Sequence, residues 1–215
     1  MTTPTLPTPA EAWAQLQEGN ARYAAGTSVH PRQDAARRAE LAYEQHPFAT
    51  VVGCGDSRAS LDHIFDIGLG DVFEVRNAGH VMSESAIGSI EYGVGPLTTP
   101  VLVILAHERC GAVRAAIDAQ AEGADPLPPH IAATIEPIAR AVHQVAQTSG
   151  TDTLDADAVD AAEVGKAHLR ASIDTLLRTS RITSDAVAAG TLAIVGAYYH
   201  LAEGTVETVL TIGLD

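Results

Sequence analysis

Apolar runs separated by amphipathic stretches predict a chain in which strands alternate with helices. The clearest run spans residues 100–106 and is unbroken, as a central parallel strand buried on both faces requires. Shorter runs of the same kind predict four further strands, over residues 48–53, 72–76, 192–198 and 205–210. Gly204 allows a tight turn between the last two, so the chain is expected to end in a hairpin.

Between the strands, apolar residues recur every three or four positions, which is the spacing of an amphipathic helix. This spacing predicts helices over residues 9–25, 35–43, 59–67, 83–94, 112–121, 131–145 and 158–177. The acidic segment 149–160 is predicted to be a surface loop or the frayed start of the last helix. Short polar segments are therefore expected to connect each strand to the helix that follows it.

Alternation of strands and helices indicates an α/β fold with a mostly parallel central sheet flanked by helices. A length of 215 residues is ordinary for one domain and allows a sizeable core. We expect a single domain over residues 1–215, with an N-terminal helical arm over 1–45 and an α/β core over 46–215. The C-terminal hairpin would form one edge of the sheet.

The net charge of the chain indicates which classes of binding partner to expect. The net charge is -14, and Lys166 is the single lysine of the chain. Nucleic acids and anionic membranes are bound by clustered basic residues, so neither is expected as a partner. The first residues lack the basic and apolar regions of a signal peptide, and no apolar stretch approaches the roughly 20 residues of a membrane helix. A cytoplasmic location is the expectation.

Two cysteines, Cys54 and Cys110, each lie just beyond the end of a predicted strand, and His107 precedes the second by three positions. The carboxyl ends of parallel strands meet at one edge of a sheet, so the three side chains are expected to converge. Two thiolates and an imidazole are ligands that zinc prefers, and a set of three leaves a position open, as in catalytic sites. A disulfide and a pair of ordinary buried thiols are the alternatives.

Asp56 and Arg58 follow the first cysteine closely enough to act on the same ion. If Arg58 holds Asp56 in a bidentate pair, water can take the fourth zinc position and the site is open. If Asp56 swings onto the zinc as a fourth ligand, the site is closed and inactive. Two thiolates neutralise the charge of zinc, so a zinc-bound hydroxide is expected to form at a higher pH than in a site of three imidazoles. Activity should therefore rise into the alkaline range.

These residues resemble a known family. The pattern Cys54-x-Asp56-Ser57-Arg58 followed by His107-x-x-Cys110-Gly111 is similar to that of the β-class carbonic anhydrases, and segments 76–79, 89–92 and 195–198 are similar as well. The resemblance runs from about Trp13 to the C-terminus. It implies reversible hydration of carbon dioxide to bicarbonate and a proton, with one zinc ion per chain. It also implies that Gly111 contributes to substrate binding.

The same resemblance implies a homo-oligomer, either a dimer or a tetramer. The N-terminal helix would then reach onto the partner subunit, where Trp13 and Tyr23 would cover an apolar surface. Ala106 and Gly55 depart from the family's usual residues without removing a ligand. Some bacterial members carry a tryptophan at the position of Val51 as part of a regulatory bicarbonate site, so regulation of that kind is not expected here, although Arg76 is present.

Two rival functions share the same ligands. One is hydrolysis of a related small heteroallene, carbon disulfide or carbonyl sulfide, by the same zinc hydroxide. The other is a catalytically silent zinc-binding module, against which Asp56 and Arg58 argue, because a structural site needs no such pair. Among the remaining histidines, His80 is the preferred candidate for passing protons out of the site.

Overall fold

The computed structural model describes residues 6–147 and 154–214, and the following statements concern these residues. Five strands form one sheet in the order β2-β1-β3-β4-β5. The strands are β1 Ala49–Cys54, β2 Val72–Asn77, β3 Val101–His107, β4 Ala193–Tyr199 and β5 Val206–Ile212. β1 pairs in parallel with β2 and β3, β3 pairs in parallel with β4, and β5 is antiparallel to β4. The predicted fold class is confirmed, including the antiparallel hairpin at the C-terminal edge.

Helices flank both faces of this sheet. They are α1 Pro9–Ala24, α2 Ala35–Glu40, α3 Leu61–Ile64, α4 Glu84–Val94, α5 Gly111–Asp118, α6 Pro129–Ala146, α7 Ala161–Thr179 and α8 Arg181–Ala188, with a 3₁₀ turn at Ala78–His80. The prediction missed α8. Ser180 is the residue that separates it from α7, because its hydroxyl accepts from the backbone N–H of Thr183 and starts the new helix.

Three helix predictions were too long, and one of them is α5, which ends at Asp118 instead of residue 121. α2 ends at Glu40 instead of continuing to residue 43. α3 keeps one turn of the predicted 59–67, because Asp66 has a left-handed φ of 44° and the chain leaves the helix there. The predicted loop over 149–160 lies partly outside the described residues. Its described part includes Leu154, which is buried and forms an isolated bridge with Ala121.

The core has two layers because every residue of β3 and β4 is buried. On one face Val103 packs in a cluster with Trp13 and Phe65, so α1 and α3 cover that side. On the other face Ile104 packs in a cluster that includes residues of α4 and α7. Successive side chains of a strand point to opposite faces, and so an unbroken apolar run fills both layers. No helix among residues 6–147 and 154–214 combines the length and the apolarity that crossing a bilayer requires.

The N-terminal helix packs on its own chain. Trp13 is 3% exposed, and its ring meets Phe65 edge-on with centroids 6.5 Å apart. The hydroxyl of Tyr23 lies 3.3 Å from that of Tyr199. The expectation that Trp13 and Tyr23 find their cover on a partner subunit is therefore wrong for Trp13, because Phe65 and its neighbours already bury it.

Candidate metal centre

Neighbouring strands deliver the first two donors of the centre. Cys54 is the last residue of β1 and His107 is the last residue of β3, and the two strands run in parallel side by side. Cys110 follows three residues later at the position that caps the N-terminus of α5. The sheet edge thus brings together the three residues that the sequence selected, as the rule for carboxyl ends of parallel strands predicts.

The distances between the donors suit a shared metal ion. Ligand atoms of Cys54, His107 and Cys110 all lie within 4.8 Å of one another, and all three residues are buried. The two sulfur atoms are 3.9 Å apart, whereas a disulfide needs about 2.05 Å. Two thiolates on a tetrahedral zinc, each at about 2.3 Å, would be about 3.8 Å apart. Both cysteines are free, so the disulfide alternative is wrong.

His107 is oriented as a metal ligand. Its Nδ1 lies 2.8 Å from the backbone carbonyl of Glu108, which can only accept, so Nδ1 carries the proton. Its Nε2 is buried and has no hydrogen-bond partner within the described part of the chain. A buried polar atom without a partner is costly, and a metal ion facing the Nε2 lone pair would remove that cost. The donor set therefore fits zinc.

The surroundings favour the thiolate of Cys54. The backbone N–H of Gly79 donates to its sulfur at 3.3 Å. The hydrogen bond from Cys110 lowers the pKa of Cys54 to about 4, with His107 and the Gly79 amide acting in the same direction. The Cys54 thiolate in turn raises the pKa of Cys110, against the backbone amides at the start of α5. A cation at the centre would relieve this repulsion and allow both thiolates.

Asp56 and Arg58 lie beside the three donors as a bidentate pair. Arg58 donates from Nε to Oδ1 at 2.9 Å and from Nη2 to Oδ2 at 2.7 Å. This guanidinium holds the pKa of Asp56 well below its usual range. Oδ2 of Asp56 is 4.0 Å from Nε2 of His107. The structure thus has Asp56 held by Arg58 at the margin of the centre.

Gly111 is the first residue of α5, directly after Cys110. It is exposed, and a Cβ at this position would meet no atom within 4 Å. The structure therefore places this glycine on an open side of the centre. Its contribution to substrate binding remains a prediction.

Arg76 supports the centre through backbone contacts that the sequence does not indicate. It donates from Nε to the carbonyl of Cys54 at 3.0 Å. Its Nη2 donates to the carbonyls of Asp56 and Ala59 at 3.0 and 3.2 Å. One guanidinium therefore fixes the turn that carries both a ligand and the Asp56 carboxylate. An arginine at the end of a strand gives no signal of such backbone contacts before the sheet order is known.

His80, the histidine preferred as a proton carrier, is unsuited to that role in this chain. It is 1% exposed, and its ring lies 4.7 Å from that of the buried His168. Burial keeps the pKa of His80 well below its ordinary value. Neither ring nitrogen has a hydrogen-bond partner within the described residues.

Comparison with known proteins identifies the family of this chain. The family model for carbonic anhydrase matches residues 49–206. A carbonic anhydrase of Mycolicibacterium smegmatis is 41% identical over 93% of this chain and 92% of its own length. Carbonic anhydrase 2 of Mycobacterium tuberculosis is 40% identical over 91% of this chain and 90% of its own.

Solved structures share the architecture. A tetrameric β-carbonic anhydrase of Sordaria macrospora superposes with a TM-score of 0.70 over 94% of this chain and 98% of its own, at 19% identity. The Coccomyxa β-carbonic anhydrase, solved with acetazolamide, gives a TM-score of 0.70 over 91% and 86%, at 25% identity. Fold and donor set together define an enzyme of the β-carbonic anhydrase type. The chain belongs to the carbonic anhydrase family, in its β class.

Proposed function

We propose that this enzyme catalyses the zinc-dependent reversible hydration of carbon dioxide to bicarbonate and a proton. The observation that carries the proposal is the convergence of Cys54, His107 and Cys110, with the buried Nε2 of His107 left without a partner among the described residues. Asp56 and Arg58 form a bidentate pair beside these donors, and a purely structural zinc site does not need such a pair. The 40–41% identity to named carbonic anhydrases supports the same reaction.

One zinc ion per chain would be held by the three donors. When bound, zinc would acidify water and so supply the nucleophile for carbon dioxide. Because the thiolates of Cys54 and Cys110 offset the charge of the ion, this acidification should be weaker than in a site of three neutral imidazoles. Hydration is therefore expected to increase from neutral into alkaline pH.

Asp56 is proposed as the residue that orients the nucleophile. Its carboxylate stays ionised because Arg58 holds the pKa of Asp56 well below its usual range, so both oxygens can only accept hydrogen bonds. Arg58 fixes the carboxylate plane through its two N–H contacts. Release by Arg58 would free Asp56 to become the fourth ligand, which is the closed form, and Oδ2 lies only 4.0 Å from Nε2 of His107.

Gly111 is proposed to leave room for the substrate on the open side of the centre. No atom lies within 4 Å of the place where its Cβ would be, so the space beside Cys110 stays free for a small molecule. Carbon dioxide carries no charge and needs little more than access. A side chain larger than hydrogen would occupy that approach.

A homo-oligomer, dimer or tetramer, is proposed as the working form. Large side chains remain exposed in the single chain, among them Tyr43 at 97% and Tyr92 at 49%. The β-carbonic anhydrases of Sordaria macrospora are tetrameric. The net charge of -14 supports a small-molecule substrate and no nucleic acid, and the two free cysteines support a reducing, cytoplasmic setting.

The test is stopped-flow hydration of carbon dioxide from about pH 6.5 to 9, on protein whose zinc content has been determined. One zinc per chain and activity that increases with pH are expected. Asp56→Asn should lower hydration by about 10²- to 10⁴-fold while zinc stays bound, since an amide cannot accept through both of its polar atoms. Asp118→Asn is the matched control, because Asp118 also pairs with an arginine, Arg114, but on the surface of α5.

Three outcomes would contradict parts of the proposal. A flat pH profile would contradict the proposal that weakly acidified water is the nucleophile. Full activity of Asp56→Asn would contradict the proposed role of the Asp56–Arg58 pair. Bound zinc without hydration at any pH would reject carbon dioxide as the substrate. Carbonyl sulfide and carbon disulfide would then be assayed with the same protein.

A further inference from the structure

Glu108, the residue after His107, is held by a distant part of the chain. Its Oε1 lies 3.1 Å from Nδ1 of His200, and its Oε2 accepts from the backbone N–H of Leu201 at 3.0 Å. The other ring nitrogen of His200 lies 3.2 Å from a carboxylate oxygen of Glu207. Both neighbours of the imidazole are carboxylates, so His200 donates at both nitrogens when it is charged. A single side chain thus ties the 107–109 turn to the segment after β4.

The backbone of the same turn supports two functional side chains. The carbonyl of Glu108 accepts from Nδ1 of His107 at 2.8 Å and so fixes the ring with Nε2 toward the centre. The carbonyl of Arg109 accepts from Nη2 of Arg58 at 3.0 Å. Moving this turn would therefore disturb a metal ligand and the arginine that holds Asp56 at the same time.

The turn is not held by local conformation alone. Arg109 has a φ of 50°, in the left-handed region that non-glycine residues adopt at a cost. The backbone N–H of Glu108 donates to the carbonyl of Tyr199 at 3.0 Å, which continues the pairing of β3 with β4 past the end of the strand. This hydrogen bond, the side-chain contacts of Glu108 and the donation from Arg58 to the carbonyl of Arg109 hold the strained turn in place.

We propose that Glu108 and His200 form a positioning pair for the metal centre, acting through the 107–109 turn on His107 and Arg58. This proposal rests on one part of the proposed function, namely that the centre holds zinc. Neither residue touches the metal or the substrate. Losing the pair should let the turn relax, so that Nε2 of His107 no longer faces the two thiolates and the ion leaves faster.

Glu207 provides a matched control. It contacts the same imidazole as Glu108, from the other ring nitrogen, and it also pairs with Lys166. The side chains are exposed to similar degrees, 32% for Glu108 and 44% for Glu207. Contacts among exposed charges contribute little to stability by themselves. A difference between the two glutamates must therefore come from the turn that only Glu108 occupies.

The experiment measures the rate at which the zinc-loaded protein loses its ion to an excess of chelator at fixed pH. Partners that orient a metal ligand typically change affinity 10- to 100-fold, and Glu108 acts one step further out. We expect about tenfold faster release for Glu108→Ala and for His200→Ala, and a change within about twofold for Glu207→Ala. The double variant of Glu108 and His200 should release zinc no faster than either single variant, because the two act as one unit.

Further readouts separate positioning from folding. Glu108→Gln keeps an acceptor for the Leu201 amide without the charge, and so it should recover part of the loss. The visible spectrum of the Co²⁺-loaded protein should shift for Glu108→Ala and stay unchanged for Glu207→Ala. If Glu108→Ala does not fold, Glu108→Gln and His200→Ala still carry the comparison.

Equal zinc release from the Glu108 and Glu207 variants would overturn the proposal, and so would fully additive effects in the double variant. Wild-type protein that binds zinc but does not hydrate carbon dioxide would reject the proposed function alone, since the effect on zinc release would persist. Wild-type protein that binds no zinc would overturn both.

Discussion

Arg58 grips both oxygens of the Asp56 carboxylate, at 2.9 and 2.7 Å, and the same Nη2 also donates to the carbonyl of Arg109 at 3.0 Å. The guanidinium is thus anchored to the turn that follows His107 while it holds the carboxylate. Because Asp56 reaches to 4.0 Å from Nε2 of His107, the anchored arginine sets how the carboxylate faces the metal centre. We therefore propose that this pair contributes orientation as well as charge.

Arg58→Lys should lower the kcat/KM of hydration by about 10- to 100-fold with zinc content unchanged, because an ammonium group cannot bind a carboxylate in the bidentate mode. Loss of the guanidinium returns the pKa of Asp56 toward its ordinary value of about 3.9, which is still far below the assay range. Asp56 is therefore ionised in both proteins from pH 6.5 to 9. Stopped-flow assays across that range therefore measure the effect of losing the orientation of the Asp56 carboxylate, without a change in its protonation.

Arg114→Lys is the control for this substitution, since Arg114 forms a similar pair with Asp118 on the exposed side of α5. It should leave hydration within about twofold of wild type. Undiminished activity of Arg58→Lys would show that one point charge is enough to hold Asp56, and the orientation argument would then be lost.

Removing the metal should abolish hydration and expose every thiol of the chain. Cys54 and Cys110 are the two cysteines of the sequence, and both belong to the candidate metal centre. Thiol reagent added to the zinc-free protein should therefore titrate two groups that react slowly in the loaded protein. One equivalent of zinc should restore activity and raise the melting temperature, since a ligand at 1,000 times its Kd stabilises by about 4 kcal/mol.

Cys54→Ser and Cys110→Ser test the same centre from the protein side. Each should bind less than one zinc per chain and show hydration reduced to background, because serine is a far weaker zinc ligand than a thiolate. Two thiols that react equally fast with and without zinc would place the ion elsewhere in the protein.

The centre was predictable because its signal is local and its assembly follows a general rule. Cys54 and His107 each end an apolar strand, and parallel strands align their carboxyl ends. Chemistry at the end of each strand was thus enough to bring residues from separate segments together.

The residues that hold the turns of the centre in place could not be predicted from strand ends. Glu108 and His200 are 92 positions apart, and Arg76 acts through backbone carbonyls that any residue carries. α8 was missed because it is only eight residues long and Ser180, whose hydroxyl starts it, is the single residue that separates it from α7. Such contacts are decided by packing after the sheet order is set.

Gly19→Ala should destabilise the docking of α1. A Cβ at Gly19 would lie 1.8 Å from the carbonyl oxygen of Phe65, which is backbone and cannot turn aside. The helix would have to move away, and with it Leu16, which is fully buried in the core. We expect a loss of about 1–3 kcal/mol in the free energy of unfolding, measured by urea denaturation.

Gly88→Ala is the matched helical control, because a Cβ there would meet no atom within 4 Å. Alanine is the better helix former by about 1 kcal/mol, so this variant should be as stable as wild type or more so. Equal stabilisation by both substitutions would mean that α1 does not approach residue 65 as closely as the structure shows.

Asp66→Asn should lower the free energy of unfolding at neutral pH, and the loss should be smaller at acidic pH. The Asp66 side chain is fully buried, and its carboxylate accepts from Nε of Arg22 at 2.6 Å and from the backbone N–H groups of Val29 and His30. Burial acts to raise the pKa of Asp66, but the hydrogen bonds of Arg22, Val29 and His30 outweigh it and the pKa is lowered. Asparagine tolerates the left-handed φ of 44°, so the backbone itself is not strained by the change.

A carboxyl whose pKa is lower in the folded state contributes stability above its unfolded pKa, about 3.9, and loses that contribution as the pH falls through the folded value. Wild type should thus exceed Asp66→Asn by about 1.5–3 kcal/mol at pH 7, and the difference should shrink below about pH 4. Urea denaturation at pH 7 and pH 3 measures it, with Asp174→Asn, from an exposed ion pair, as the control. An equal difference at both pH values would mean that the charge of Asp66 adds nothing to the hydrogen bonds.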